Sequence, residues 1–388
     1  MDFTPDPDHE ALRKGVRDVV SKFDDEYWSA CDHDHRFPDE FYTALADGGW
    51  LGIAIPEEYG GGGLGITEAS LLLQEIAESG AAMNGCSAIH LTIFGMNPVV
   101  KHGSPELRSE LLPKVVSGEI HVSFGVTEPD AGTDTSRITT RARRDGDDYV
   151  VNGRKVWISK AQQADYLLLL TRTTPREECA RPTDGMTLFL SPTDRSAIEV
   201  REIPKMGRNA VNSNALFIDN LRIPVSHRIG EEGKGFKLLL DGLNPERILL
   251  AHEAIGIGRV SIRRAVEYAK QRVVFDRPIG KNQGIAFPLA EATMRLDAAE
   301  QVANKAAWLY DHGHPCAREA NTAKFLAADA GFFAADRAMQ THGGFGYANE
   351  YQVERYFREA RLMKIAPISQ EMVLNYVSEH VLGLPRSY

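Results

Sequence analysis

The sequence predicts an α+β fold in three parts, with a helical region first, a β-domain in the middle and a helical bundle last. Apolar residues recur with a helical period before about residue 120 and after about residue 233, and with the period of strands in between. A chain of 388 residues is also long enough to bury more than one core. We therefore expect an N-terminal helical domain at 1–120, a middle β-domain at 121–232 and a C-terminal helical bundle at 233–388.

The helical regions contain several long segments with apolar residues three and four positions apart. In the first region Gly60–Gly65 is a glycine-rich loop, which lacks the lysine and hydroxyl residue of a phosphate-binding loop. We predict a helical bundle in the last region because long helices are joined there by short links. The predicted helices are Ala69–Glu78, Pro105–Val116, Ile248–Arg272, Ala286–Asp311, Ala317–His342 and Gln370–Val381.

The middle region contains short apolar runs separated by turn residues, a pattern typical of a small barrel or sandwich. Asp148–Ile158 is predicted to form two strands around an Asn152-Gly153 turn, because both residues tolerate the positive φ that a tight hairpin turn requires. The other predicted strands are His121–Thr127, Tyr166–Thr171, Met186–Leu190, Ile198–Ile203 and Ala215–Ile218.

Composition excludes several classes of partner. The chain has 44 Lys and Arg against 54 Asp and Glu, a formal net charge of -10, so no nucleic-acid partner is expected. No apolar run is long enough to span a membrane, and the acidic N-terminus resembles no targeting peptide, so we expect a cytoplasmic protein. The four cysteines form no CxxC pair, which indicates free thiols, and no metal site is predicted.

Four motifs occur in order along nearly the whole chain. The two strongest are Gly125–Asp134 (GVTEPDAGTD) and Gln340–Tyr347 (QTHGGFGY). Two weaker ones are Ile55–Gly61 (IPEEYGG) and Arg272–Phe275 with Gln283 downstream. Together they resemble the acyl-CoA dehydrogenase family. The resemblance implies a C-terminal four-helix bundle, FAD between the β-domain and the bundle, a homotetramer, an acyl-CoA substrate and an electron-transfer flavoprotein as electron acceptor.

The resemblance also implies which residues contact FAD, and each has an ordinary structural alternative. Without the resemblance, Trp157 would be interpreted as an aromatic residue of the core and Arg272 as a solvent-exposed charge on a helix. Gly343 and Gly344 would be interpreted as a helix C-cap. On the resemblance, Gly132 and Thr133 approach the FAD phosphates, and residues matching Arg272, Phe275, Gln340 and Gly344 reach the FAD of a neighbouring subunit. The implied cofactor contacts are Phe124, Val126, Thr127, Gly132, Thr133, Trp157, Ser159, Arg272, Phe275, Gln283, Gln340, Gly343, Gly344 and Ser369.

The catalytic base that the resemblance implies is Glu246. Many family members carry the base in a Y-E-G-T segment, but here that register is Ile365–Ser369 and Pro367 stands in place of the glutamate. Other members place the glutamate at the start of a bundle helix before an arginine, which matches Glu246 and Arg247. Acids are also common in a first helical turn for purely structural reasons. We expect the helix dipole to keep Glu246 ionised, and bound substrate to raise its pKa.

That helix is expected to begin with Asn244 as N-cap and Pro245 as its first residue. Arg247 is expected to orient Glu246 or to contact the CoA.

Proline at 367 also removes a backbone N–H that in the family helps to polarise the thioester carbonyl. Either a flavin ribityl hydroxyl acts with a shifted donor from Ile368, or the substrate lies differently. The substrate pocket is expected along a helix from Ser87 to Val100, where Gly95 and Met96 set its depth.

Two other functions stay open at this point. One is a flavin oxidase or monooxygenase on the same fold, which the presence of Glu246 disfavours. The other is a non-catalytic FAD-binding subunit of a mixed oligomer, which the two intact FAD motifs disfavour. The resemblance therefore favours α,β-dehydrogenation of an acyl-CoA thioester to the trans-2-enoyl-CoA.

Overall fold

The computed structural model describes residue 4 and residues 6–387, and it begins with a helical region as predicted. Amphipathic helices here bury their apolar faces against each other and against the C-terminal bundle in one shared core. The seven helices are α1 (Pro7–Val20), α2 (Asp25–His33), α3 (Asp39–Asp47), α4 (Ile66–Ile76), α5 (Ala82–Ile93), α6 (Asn97–His102) and α7 (Pro105–Val116).

The middle region forms one eight-stranded sheet in the order β6-β7-β3-β2-β4-β5-β8, with β1 added to β4 in parallel. All five apolar runs predicted as strands contain strands, but those predicted at 121–127 and 198–203 are shorter than predicted and the other three are longer. One face packs on α6 and α7, and the other encloses a separate core. The strands are β1 (Val122–Gly125), β2 (Arg141–Asp145), β3 (Asp148–Ser159), β4 (Tyr166–Arg172), β5 (Met186–Pro192), β6 (Ile198–Glu202), β7 (Ser213–Pro224) and β8 (Arg228–Ile229).

The predicted hairpin at Asn152-Gly153 is wrong. β3 runs unbroken through both residues, and its pairing with β7 shifts register between Val151 and Gly153. A Cβ on Gly153 would lie 2.6 Å from the Cα of Thr140, so the glycine is required for close packing at a bulge. The tight turn instead lies at Gly146, between β2 and β3.

The C-terminal region consists of long helices and one short ribbon. Lines of buried alanines let the three longest helices pack closely over most of their length. The elements are α8 (Gly235–Asp241), α9 (Leu243–Gln271), β9 (Val273–Val274), β10 (Arg277–Pro278), α10 (Gln283–Asp311), α11 (Ala317–His342), α12 (Val353–Leu362) and α13 (Gln370–Tyr376).

Helices α5 and α9 run antiparallel and in contact. A Cβ on Gly242 would lie 3.7 Å from the Phe94 carbonyl, whereas a Cβ on Gly256 would lie 2.6 Å from Ala77. The single helix expected from Ser87 to Val100 is wrong, because α5 ends at Ile93 and a turn precedes α6. The start of α9 therefore lies beside the end of α5.

Candidate active site

Glu246 lies in the first turn of α9, but the helix begins differently from the prediction. Leu243 is the first helical residue, with Gly242 before it, so Asn244 is not the N-cap and Pro245 is not the first residue. The side chain of Asn244 instead accepts a hydrogen bond from Arg247 Nη1 at 3.1 Å. The backbone N–H of Glu246 donates to the Gly242 carbonyl at 3.1 Å, which fixes the start of the helix.

The carboxyl group of Glu246 is 8% exposed and makes no hydrogen bond within the described part of the chain. Burial raises its pKa to about 7, against the opposing effect of the Arg247 guanidinium and with a further increase from the Glu253 carboxylate. The expectation that the helix dipole keeps this group ionised is therefore wrong: burial has the larger effect before any substrate binds. A carboxyl with a pKa near neutrality is suited to accept a proton reversibly.

Phe94 connects the start of α9 with the first strand of the sheet. Its carbonyl lies beside Gly242, and its ring centroid is 6.0 Å from that of Phe124 on β1. The predicted flavin-contact strand and the predicted base thus flank one aromatic side chain.

The loop after β1 is held on β3 by a buried ion pair that the sequence interpretation missed. Thr127 Oγ1 donates to the Val156 carbonyl at 2.5 Å, and the Val156 N–H donates to the Thr127 carbonyl at 2.9 Å. Lys155 Nζ donates to both the Val126 carbonyl and Glu128 Oε1 at 2.9 Å. Burial would raise the pKa of Glu128, but the Lys155 ammonium and the hydrogen bonds from Thr139 and Thr140 outweigh it and hold that pKa below its usual range. The loop is therefore rigidly positioned.

Trp157 lies at an irregularity in β3, where the register against β7 shifts between Lys155 and Ile158. Its φ is +62°, and its side chain is 58% exposed, so the structure excludes the alternative of a buried core aromatic. Ser159 follows two residues later, and its carbonyl accepts from Ser123 of β1 at 2.5 Å. An exposed indole beside β1 is suited to cover a flat ring system.

Gly132 and Thr133 lie on an exposed loop nearby. A Cβ at Gly132 would meet no atom within 4 Å, so a ligand has room to approach the backbone there. Together with the exposed Trp157, this open loop fits a bound FAD.

The segment from Ile365 to Ser369 lies close to the candidate base. Lys324 donates to the Ile368 carbonyl, and the positive charges of Lys324 and Arg247 act on each other. The N–H of Ile368 makes no hydrogen bond within the described residues and is thus a free donor. Ser369 caps α13 through its side chain, which accepts from the Met372 N–H at 3.3 Å.

The remaining predicted FAD contacts lie at the opposite end of α9. The 25 residues from Glu246 to Gln271 span about 38 Å of helix, so Arg272 cannot reach the same ligand atoms as Glu246 within one chain. Phe275 is 92% exposed, and Arg272 lies over the ring of Phe345 at 5.9 Å. This exposed group of residues also contains Gln283, Gln340, Gly343 and Gly344.

A surface cavity of about 300 Å³ lies beside this group and is lined in part by Gln340 and Gly343. Gly343 also follows the last residue of α11, with φ +60° and ψ -132°, a backbone conformation that favours glycine but is not the left-handed helical cap. A Cβ at Gly343 or Gly344 would meet no atom within 4 Å, which leaves room for a ligand of another subunit.

The two residues expected to set pocket depth differ in their surroundings, and Gly95 directly follows Phe94, whose carbonyl lies beside Gly242. Met96 is buried among apolar side chains of α6, α7 and the sheet. A Cβ at Gly95 would lie 2.4 Å from the Leu91 carbonyl, so this glycine permits the turn after α5. His90, which faces α9, was missed because a lone histidine in an apolar segment carries no motif.

Comparison with known proteins gives a consistent result for every region. Family sequence models match residues 6–119 (acyl-CoA dehydrogenase, N-terminal domain), 123–221 (middle domain) and 233–382 (C-terminal domain). Acyl-CoA dehydrogenase FadE12 of Mycobacterium tuberculosis is 40% identical over 100% of this chain and 99% of its own length.

Solved structures agree. Butyryl-CoA dehydrogenase of Megasphaera elsdenii superposes with a TM-score of 0.93 at 30% identity, covering 98% of this chain and 100% of that one. The prolyl acyl carrier protein oxidase AnaB superposes with a TM-score of 0.92 at 26% identity, covering 98% and 100%. Within the described residues, no helix is both long and apolar enough to cross a membrane.

Proposed function

The chain belongs to the acyl-CoA dehydrogenase family of FAD-dependent oxidoreductases, and from this premise we propose that Glu246 is the base that removes the α-proton of an acyl-CoA thioester. The product is the trans-2-enoyl-CoA. The observation that carries the proposal is the buried Glu246 carboxyl at the start of α9, which has a pKa of about 7 and no hydrogen-bond partner within the described chain. A base with that pKa is ionised in a large fraction of molecules at neutral pH and can hold the proton that it accepts.

The chain's own residues handle the proton and orient the substrate. Glu246 takes the α-proton, and the electron pair of the broken C–H bond becomes the new double bond as the β-hydrogen leaves. Bound FAD supplies the acceptor for that β-hydrogen and its electron pair. Arg247 lies beside Glu246 and favours its ionised form, so it stabilises the base before the proton arrives.

The thioester carbonyl needs a donor as negative charge develops on its oxygen. Pro367 has no N–H, and the nearest candidate is the free N–H of Ile368. Lys324 binds the carbonyl of the same residue, in the peptide unit that follows, and so holds Ile368 in place. We propose that Ile368 replaces the donor that Pro367 removes.

We further propose that the enzyme works as a homotetramer and transfers electrons to an electron-transfer flavoprotein. About 38 Å of helix separates Glu246 from the second group of FAD-contact residues. This distance supports the proposal that each FAD site is formed by residues of two subunits. Phe275 is exposed next to Val273 and Val274, which are also exposed, and we expect a neighbouring subunit to cover this contiguous apolar segment.

A second candidate function is an oxidase on the same fold, favoured by the structural likeness to the prolyl acyl carrier protein oxidase AnaB. Oxygen consumption by the reduced enzyme separates the two functions. An oxidase reoxidises rapidly in air, whereas a dehydrogenase needs an added electron acceptor.

The direct test replaces Glu246 with glutamine and with aspartate. Glu246→Gln keeps the side-chain volume but cannot accept the proton, so FAD content and acyl-CoA binding should persist while flavin reduction falls by about 100- to 10,000-fold. Glu246→Asp retains a carboxylate and should retain measurable activity. Wild-type rates of flavin reduction in Glu246→Gln would refute the assignment.

A further inference from the structure

The contact between α5 and α9 carries a polar pair at the end remote from α9's first turn. On α9, Glu246, Leu250 and Glu253 lie four and three residues apart and therefore share one face. On α5, Phe94 and His90 share the face that is turned toward α9. Because the two helices are antiparallel, these residues follow each other in the reverse order. An acyl chain laid from Glu246 between the two helices would therefore run past Phe94 and Leu250 toward His90 and Glu253.

The pair at that end is fully buried. Glu253 is 0% exposed, and its Oε1 is 2.9 Å from His90 Nδ1. Its second oxygen, Oε2, is buried and has no partner among the described residues. A buried oxygen in such a place requires a hydrogen-bond donor, because a buried polar atom left unpaired destabilises the fold.

A buried arginine reaches the same place from the loop before β7. Arg208 Nη2 donates to Ser213 Oγ at 2.6 Å, and Nη1 lies 3.4 Å from Ser87 Oγ on α5. Ser87 is one turn before His90. The Nε–H of Arg208 is buried without a partner among the described residues, and the carboxylates of Glu359 and, to a smaller extent, Glu253 favour the charged guanidinium.

We propose that Arg208, His90 and Glu253 bind a hydroxyl group at the distal end of the acyl chain, so that the substrate is a short ω-hydroxyacyl-CoA. The proposal rests on the proposed function, because it takes Glu246 as the position of the α-carbon. A hydroxyl can donate to Glu253 Oε2 and accept from Arg208 Nε at once. A distal carboxylate would be repelled by Glu253, and a distal ammonium by Arg208.

The helix itself sets the chain length. Seven residues separate Glu246 from Glu253, which corresponds to about 10 Å along the axis. That distance accommodates an acyl chain of roughly hexanoyl length and excludes the long fatty acyl chains unless they leave the α5–α9 contact.

The test measures anaerobic flavin reduction in the wild-type holoenzyme by hexanoyl-CoA, ω-hydroxyhexanoyl-CoA and the ω-carboxy analogue. A site built to bond a hydroxyl should prefer the hydroxy compound over hexanoyl-CoA by about 10- to 100-fold in kcat/KM. Equal rates, or a preference for hexanoyl-CoA or the carboxy analogue, would overturn the inference and leave the proposed function standing. Failure of every thioester to reduce the flavin would overturn both.

Glu253→Gln then tests the residue. It keeps the size of the side chain but removes the charge, so the preference for the hydroxy compound should fall by about tenfold. Glu300→Gln on α10, which removes a carboxylate paired with Arg259 outside the α5–α9 contact, should leave the preference unchanged. FAD content and the flavin spectrum check folding, and an unchanged preference in Glu253→Gln that retains FAD would overturn the inference. If that variant does not retain FAD, the wild-type comparison decides.

Discussion

The titration of Glu246 gives a quantitative prediction for the pH dependence of the reaction. Burial raises its pKa from 4.5 to about 7, which corresponds to about 3 kcal/mol of difference between the two protonation states. The base must be ionised to act, so kcat/KM should be lost as pH falls through about 7 and should level off above it. The same shift makes the folded protein bind this proton more tightly than the unfolded chain, so this group's contribution to stability declines as pH rises from about 4.5 to 7.

Two substitutions should move the midpoint in opposite directions. Arg247→Gln removes the positive charge that favours ionised Glu246, so the midpoint should shift to higher pH. Glu253→Gln removes a negative charge that disfavours it, so the midpoint should shift to lower pH. The assay is anaerobic flavin reduction followed by stopped-flow absorbance from about pH 5 to about pH 9. A flat wild-type profile, or a midpoint that neither substitution moves, would refute Glu246 as the titrating base.

Two further predictions concern the FAD-binding loop and the second group of FAD contacts. Lys155→Met leaves the Glu128 carboxylate buried without its ion pair, so it should lower the free energy of unfolding by about 3–5 kcal/mol, measured as a lowered Tm with reduced FAD content. The control, Lys14→Met, removes an exposed pair with Asp18 and should change the free energy of unfolding by less than about 1 kcal/mol. The Arg272→Ala protein should purify with little FAD, whereas the control Arg222→Ala, at an exposed position on β7, should keep its FAD. Co-expression of Arg272→Ala subunits with Thr127→Ala subunits should restore part of the FAD. Full FAD content in Arg272→Ala would contradict a shared site.

The sequence predicted the architecture because periodicity and turn residues report burial directly. Long helices such as Ala317–His342 were predicted to the residue, since their apolar faces continue without interruption. The hairpin at Asn152-Gly153 was mispredicted because the same dipeptide also suits a bulge, and only the approach of Thr140 decides between them. Asn244 is not the N-cap because the helix already begins at Leu243, and its side chain accepts a hydrogen bond from Arg247 instead.

The residues of the site could be predicted from the sequence only where they belong to a recognisable motif. Glu246 and the loop at Thr127 follow from resemblance, but the pKa of Glu246 depends on burial by elements far apart in the sequence. Lys155, Arg208 and the His90–Glu253 pair carry no local signal, since their partners are 27, 121 and 163 residues away. Such contacts are set by tertiary packing and become visible only in the structure.

The most direct test of the central claim mixes purified, FAD-loaded wild-type protein and Glu246→Gln anaerobically with acyl-CoA thioesters, while following flavin absorbance and identifying the product by mass. The account predicts that the wild-type flavin bleaches with formation of one enoyl-CoA per FAD reduced, and that Glu246→Gln binds the same thioester without bleaching. Bleaching at the wild-type rate in Glu246→Gln, or no bleaching of the wild-type flavin by any thioester, would contradict it.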